Sequence, residues 1–210
     1  HDRGEEVETI RSPMAEYGIA KLALPGEGQS GDQCLVCCNE SGILVAAIDG
    51  IGHGAEAANA AKAAAAVLRN GIGEPIISLV TACHEKLRST RGVVLSIAWV
   101  DVNHGLMTWL GVGNVQGVLV RADKKSTGQE TLLLRGGVVG DHLPQLQGTV
   151  LPVGQGDMLL FATDGVRNDF AGTLSALENP QRAADRILKG FSNGSDDALV
   201  LALRITGIHR

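Results

Sequence analysis

The sequence predicts an α+β fold in which two mostly antiparallel β-sheets are flanked by helices. Short apolar runs bounded by turn residues recur along the chain, as expected for strands. Two helical segments follow each other after the first three strands, whereas a parallel α/β sheet would alternate single strands and helices. With 210 residues, the chain can bury one substantial core. We expect one domain over residues 1–210, with residues 1–15 as an N-terminal extension.

The first half of the chain predicts three strands and two helices. An alanine-rich segment predicts the first helix, and Pro75 suits the first turn of the second. The strands are expected at 17–24, 33–38 and 43–48, and the helices at 53–69 and 75–89.

The second half predicts a meander, a strand pair and a last helix. The pattern Asn179-Pro180 is typical of a helix start, because Asn caps the helix and Pro fits its first turn. The meander strands are expected at 93–100, 106–112 and 118–122, a short strand at 131–134, the strand pair at 149–153 and 158–163, the helix at 179–189 and the final strand at 198–205.

Charge and hydropathy exclude several classes of function. The net charge is −5 with no basic block, so we expect no nucleic-acid partner. No apolar run has the length of a membrane span, and the charged first residues do not resemble a signal peptide. We therefore expect a cytoplasmic protein without membrane contact. We also expect it to be a monomer.

The cysteines give a weaker signal. Cys34 and Cys37 have the spacing of half a zinc site, but no second pair completes it. In a strand the two residues would point to opposite faces. We therefore interpret them as packing thiols in a reducing compartment.

Acidic residues stand at the ends of predicted strands. Asp49 and Asp164, each followed by Gly, come after apolar runs, whereas Asp32 and the pair Asp196-Asp197 precede them. If these strands are antiparallel neighbours, the acidic residues meet at one edge of the sheets. Carboxylate oxygens are the ligands that Mg²⁺ and Mn²⁺ prefer. A single Asp-Gly is more often an ordinary turn, but the complete set favours a metal site.

These motifs resemble those of the metal-dependent protein phosphatases of the phosphatase 2C type (PPM). The resemblance is carried by Asp49-Gly50-Ile51-Gly52-His53-Gly54, by Thr163-Asp164-Gly165 and by Asp196-Asp197, in this order. Ser30-Gly31-Asp32 and Gly113-Asn114-Val115 resemble the bacterial branch of sporulation and stress-response phosphatases. The short chain is most similar to RsbX-type phosphatases, which reset the stressosome.

The resemblance implies an αββα sandwich with a site for two or more Mn²⁺ or Mg²⁺ ions. Asp49 would bridge two ions, and the Gly50 carbonyl would bind one of them. Asp164 and Asp196 would hold the other, and Asp32 would act through water or at an outer ion. Asp197 is the alternative to Asp196 as a ligand. Asp32, Asp49, Asp164 and Asp196 would together serve catalysis, because a metal-activated water attacks the phosphorus.

The implied function is hydrolysis of phosphoserine or phosphothreonine on a bacterial stress-signalling protein of the stressosome. The alternative is a catalytically weak phosphatase-like module that binds or senses. One departure from many eukaryotic relatives is that the turn 25–31 contains no Arg or Lys for the phosphate. The role of His53 also stays open between a general acid and a residue that caps or packs at the first helix.

Overall fold

The computed structural model describes residues 14–24, 26, 28–123 and 128–208. Most of the predicted extension 1–15, together with Pro25 and Glu27 of the predicted turn, lies outside the described residues. Ala15 already belongs to the first strand.

Eleven strands of the described residues form two sheets. Every strand pair is antiparallel except β5 with β8. The strands are β1 Ala15–Leu22, β2 Asp32–Asn39, β3 Gly42–Gly50, β4 Val93–Asp101, β5 Leu106–Val112, β6 Gln116–Val120, β7 Gln129–Thr131, β8 Leu134–Arg135, β9 Thr149–Pro152, β10 Met158–Ala162 and β11 Ala198–Ile205. Sheet A has the order β1-β11-β10-β6-β7, and sheet B has the order β2-β3-β4-β5-β8, with β9 also paired to β5.

Within the described part of the chain, three helices and one 3₁₀ helix cover the outer faces. They are α1 Gly54–Asn70, α2 Ile76–Leu87, the 3₁₀ helix Asn168–Thr173 and α3 Pro180–Phe191. One apolar cluster fills the space between the sheets, with Trp109 and Phe161 among its largest members. A second joins sheet B to α1 and α2, and a third joins sheet A to α3 and the 3₁₀ helix. The predicted α+β fold and its αββα layers are therefore confirmed.

Small residues allow the helices to lie close to the sheets. Six of the nine alanines of α1 are buried, and four of these pack in the core that joins α1 to sheet B and α2. A Cβ at Gly18 of β1 would lie 2.2 Å from the Cα of Gln181 in α3. The Gln181 side chain also accepts from Ile19 N and donates to Ile19 O, at 3.0 and 2.9 Å. This amide satisfies backbone groups of β1, an edge strand of sheet A.

Two predicted strand pairings are wrong. The expected third strand of the meander, β6, pairs with β10 and β7 in sheet A and does not follow β5 in sheet B. The chain crosses between the sheets at Gly113, which adopts a φ of +94°. Val115 follows it into the core between the sheets, and its carbonyl accepts from Ser96 Oγ.

The expected pair of β9 and β10 is also divided between the sheets. β9 pairs with β5 in sheet B, whereas β10 pairs with β6 and β11 in sheet A. The predicted strand 131–134 is likewise split into β7 of sheet A and β8 of sheet B. Connections that span a sandwich carry the same turn residues as hairpins, so the sequence pattern does not separate them.

The two spaced cysteines do point to opposite faces of β2. Cys34 packs against the core between the sheets, and Cys37 packs against the helix-covered core. All four cysteines are free thiols.

Candidate metal centre

The acidic residues lie where strands of both sheets begin or end. In sheet B, Asp32 at the start of β2 pairs directly with Asp49 near the end of β3. Residues opposite each other in an antiparallel pair share a face. In sheet A, Asp164 follows β10 and Asp196 precedes β11, and these two strands are also antiparallel neighbours. Each sheet therefore brings its acidic residues to one edge.

Two hydrogen bonds join these edges across the sandwich. Thr163 Oγ1 donates to Asp32 Oδ2 at 2.7 Å, and Thr163 Oγ1 also accepts from Leu199 N at 2.8 Å. Gly31 N donates to Asp197 Oδ2 at 2.6 Å. The acidic residues of the two sheets are therefore held together, although 115 positions separate Asp49 from Asp164 in the sequence.

Three of the carboxylates line one pocket of about 340 Å³. Asp49 comes from sheet B, and Asp164 and Asp196 come from sheet A. Asp32 and Asp197 are not part of the lining, since they are only 1% and 4% exposed. The remaining lining residues are Leu24, Ile51, Gly52, His53, Val94, Gly113, Asn114, Gly136 and Ser195.

Burial and mutual repulsion disfavour the charged carboxylates. Burial, followed by the charges of Asp32 and Asp164, raises the pKa of Asp49 to about 8. Burial also raises the pKa of Asp32 to about 7, against the lowering effect of its hydrogen bond from Thr163. Burial and the charge of Asp196 raise the pKa of Asp164.

The adjacent residues Asp196 and Asp197 have different surroundings. Asp197 accepts from Leu24 N through Oδ1 at 2.7 Å and from Gly31 N through Oδ2 at 2.6 Å. It therefore holds the connection between β1 and β2 against sheet A. Asp196 lines the pocket, and its Oδ1 accepts from Asp197 N at 2.8 Å.

Two asparagines position the sheet A residues. The sequence analysis named Asn114 within the motif Gly113-Asn114-Val115 without giving it a role, and it did not name Asn193. Asn114 Nδ2 donates to Asp164 Oδ2 at 2.8 Å. Asn193 Nδ2 donates to Asp164 O at 3.0 Å, and its Oδ1 accepts from Ser195 N at 2.9 Å. Asn193 therefore ties the turn after β10 to the loop before β11. The available signals were an asparagine in each of two glycine turns, and such turns are common.

Glycine is required beside two of the acidic residues because backbones approach closely. A Cβ at Gly50 would lie 2.2 Å from Ala57 O of α1. A Cβ at Gly165 would lie 2.0 Å from Asp197 O. The glycine of each Asp-Gly pair thus allows close packing next to the carboxylate.

His53 stands at the start of α1 and lines the pocket. Its side chain makes no capping hydrogen bond to the helix, although His53 is the N-cap residue of α1 by position. His53 therefore lies both at the start of the helix and in the wall of the pocket.

The donor set suits a hard divalent cation. Buried carboxylates repel each other unless protons or a cation neutralise them, and the described lining residues include no Lys or Arg. Within the described residues, no three His, Cys, Asp or Glu side chains are already grouped as a finished metal cluster. The oxygen ligands and the negative charge around Asp49 therefore suit a divalent cation.

Comparison with known proteins identifies the family. Residues 39–206 match the family model described as Stage II sporulation protein E (SpoIIE). The chain belongs to the SpoIIE family of PP2C-type phosphatase domains. The sequence-based family prediction is confirmed.

Individual relatives of this SpoIIE-family chain include proteins of stress signalling. It is 25% identical over 101 residues to the phosphoserine phosphatase RsbX of Bacillus subtilis (strain 168). The matched residues make up 48% of this chain and 51% of RsbX. The match thus spans about half the length of that curated relative. A chain from the structure "The bacterial stressosome: a modular system that has been adapted to control secondary messenger signaling" is 30% identical. That match covers 90% of this chain and 99% of the other, with a TM-score of 0.82.

RsbX has also been solved in complex with magnesium. That structure is 19% identical and covers 94% of this chain and 98% of its own, with a TM-score of 0.83. At this identity the likeness shows the fold alone. None of the described helices of this chain is long and apolar enough to cross a membrane.

Proposed function

We propose that this chain is a Mn²⁺- or Mg²⁺-dependent phosphatase that hydrolyses phosphoserine or phosphothreonine on a bacterial stress-signalling protein. The observation that carries the proposal is the meeting of carboxylates from both sheets around Asp49. The pKa of this residue rises to about 8 because of burial and its acidic neighbours. Such an arrangement is costly without a cation and is explained by one.

The ligand roles follow from the surroundings of each residue. Asp49 lies between the carboxylates of both sheets and would contact two ions, with the Gly50 carbonyl beside it. Asp164 and Asp196 face the same pocket and would hold one of these ions. Asp32 is buried beside Asp49 and would act through water or at an outer ion. Both oxygens of Asp197 already bind backbone N–H groups, which favours Asp196 as the ligand of the pair.

The chain's own residues orient the reaction. When bound, the ions supply a water of lowered pKa and neutralise the phosphate oxygens. Asn114 holds one oxygen of Asp164 and so fixes the direction of the other. Thr163 does the same for Asp32 from the opposite sheet. In the overall reaction, the oxygen of water forms a bond to phosphorus, the bond from phosphorus to the serine or threonine oxygen breaks, and that oxygen takes a proton from the water.

The substrate proposal draws on the relatives. RsbX is named a phosphoserine phosphatase, and a stressosome chain is similar over nearly its whole length. We accordingly expect a phosphorylated stressosome component as partner, a single catalytic domain and a cytoplasmic location. The pocket is large enough for a phosphorylated side chain, and a folded protein would lie across its rim.

The decisive experiment measures release of inorganic phosphate from phosphoserine peptides and from purified phosphorylated stressosome proteins as Mn²⁺ is added. We expect saturable, Mn²⁺-dependent release that excess chelator and Asp49→Asn or Asp164→Asn abolish. Asp141→Asn, which changes an exposed aspartate, is the matched control. Full release by Asp49→Asn, or release in excess chelator, would refute the proposal.

The same proteins separate catalysis from a binding or sensing role. Calorimetry with Mn²⁺ reports metal binding whether or not phosphate is released. A chain that binds the phosphoprotein, but neither binds Mn²⁺ nor releases phosphate, would be the alternative binding or sensing module. Metal binding that Asp49→Asn removes, together with phosphate release, supports the phosphatase.

A further inference from the structure

Arg91 lies at the border between the acidic pocket and a second cleft. A Cβ at Gly52, which lines the acidic pocket, would be 2.6 Å from Arg91 Nη1. Gly52 has a φ of +92°, a conformation that glycine adopts without strain. The guanidinium therefore rests directly on the Gly52 backbone, a position that a side chain at residue 52 would block.

The loop that carries Arg91 is fixed to the acidic edge of sheet B. Thr90 Oγ1 donates to Leu87 O at 2.7 Å and accepts from Gly92 N at 3.0 Å. Gly92 O then accepts from Ile51 N, two residues after Asp49, at 3.1 Å. Hydrogen bonds of Thr90 and Gly92 thus fix the backbone on both sides of Arg91.

The second cleft has a volume of about 370 Å³. It lies between the first turns of α1 and the loop after α2, and is lined by Glu56, Asn59, Ala60, Ser89, Thr90 and Arg91. Arg91 Nε is 2.7 Å from Glu56 Oε2, and the two side chains are 55% and 72% exposed. Pairs this exposed contribute little to stability, so another carboxylate can share or replace Glu56 at modest cost.

Arg91 provides a positive charge next to a pocket whose described lining has none. The lining described for the acidic pocket contains three carboxylates and no Lys or Arg, and the whole chain carries −5. The ions of the proposed function would neutralise these carboxylates and the phosphate, so a carboxylate that flanks the phosphate would need a cationic partner outside the pocket. Arg91 supplies a bidentate donor for such a carboxylate next to the pocket.

We propose that the second cleft binds the substrate segment beside the phosphorylated residue, and that Arg91 selects an acidic side chain there. The proposal rests on the proposed phosphatase function, because it names what that site's substrate carries. Arg91 lines the second cleft and not the acidic pocket, so its partner is a flanking carboxylate and not the phosphoryl group.

The test compares phosphoserine peptides in which one Glu or one Gln is moved position by position on each side of the phosphoserine. With Mn²⁺, the wild-type chain should prefer at least one Glu peptide over its Gln partner through a lower KM. Arg91→Gln should remove this preference by raising that KM about two- to fivefold, the range of one exposed ion pair, with kcat unchanged. Aryl phosphate and Gln peptides should change less than twofold.

Arg88→Gln is the matched control, because it removes an equally exposed Arg–Glu pair outside the cleft. Arg91→Glu should transfer the preference to a peptide with Lys at the same position. Equal loss with aryl phosphate and all peptides, or an unchanged Glu preference in Arg91→Gln, would overturn the proposal. If wild type releases no phosphate, the phosphatase proposal fails by itself. Fluorescence anisotropy of labelled Glu and Gln peptides then still tests Arg91 by binding.

Discussion

Replacement of Asp49 by Asn should stabilise the metal-free protein at alkaline pH while it removes function. In the unfolded chain this carboxyl titrates near 3.8, whereas in the fold its pKa lies near 8. Between these values the folded chain keeps a proton that the unfolded chain has lost. The free energy of unfolding of the metal-free protein therefore falls as pH rises through this window.

The size of the effect follows from the same pKa. A pKa unit corresponds to about 1.4 kcal/mol, so the cost of ionised Asp49 is on the order of 5 kcal/mol above pH 8. Asn has nearly the shape of the protonated carboxyl and no charge. Asp49→Asn should recover a large part of this energy at pH 9 and almost none at pH 4. The pKa of Asp32 is also raised, so in both proteins the free energy of unfolding still falls partly as pH rises.

Urea unfolding in excess chelator, repeated from pH 4 to pH 9, measures this difference directly. The exposed Asp141→Asn variant should follow wild type at every pH. With Mn²⁺ at about a hundred times its Kd, wild type should gain about 2.7 kcal/mol and Asp49→Asn almost nothing. Equal stability of Asp49→Asn and wild type at both ends of the pH range would refute the reasoning.

Three further predictions concern the neighbours of Asp49. Asp197→Ala should cost about 2–4 kcal/mol of unfolding free energy, because the buried Gly31 N–H and the half-buried Leu24 N–H lose their acceptor. Asp196→Ala should instead leave the urea midpoint nearly unchanged and abolish Mn²⁺ binding in calorimetry. Gly165→Ala should cost about 2 kcal/mol or more in urea unfolding because its Cβ meets Asp197 O, whereas Gly172→Ala, which points into open space, should stay within about 0.5 kcal/mol. Asn114→Ala should weaken Mn²⁺ binding about tenfold in calorimetry, since Asp164 loses the hydrogen bond that orients it; unchanged affinity would contradict this role.

Local chemistry made the elements of the fold predictable from the sequence. Apolar runs such as that of β3 and the capped start of α3 at Asn179 have clear periods and boundary residues. Sheet membership was not predictable in the same way. The turn residues before β6 are those of a hairpin, but Gly113 carries the chain across the sandwich. The packing of Val115 into the central core and the pairing of β6 with β10 distinguish the two paths.

The meeting of the acidic residues within each sheet could be expected from the sequence, because antiparallel neighbours bring the end of one strand beside the start of the other. The choice between Asp196 and Asp197 depended on which of two adjacent side chains faces the pocket. This orientation is set by the backbone N–H groups of Leu24 and Gly31, more than 160 positions away in the sequence. The supporting asparagines were hidden for a similar reason, since Asn114 meets Asp164 only through the fold.

The most direct test of the central claim is an anomalous-scattering map from crystals of the chain grown with Mn²⁺. Peaks should touch the Asp49 carboxylate, with Asp164 and Asp196 on one ion and the Gly50 carbonyl on the other. Asp197 should keep its hydrogen bonds to Leu24 N and Gly31 N. A map without a peak at Asp49, or with the ion bound by Asp197, would contradict the account.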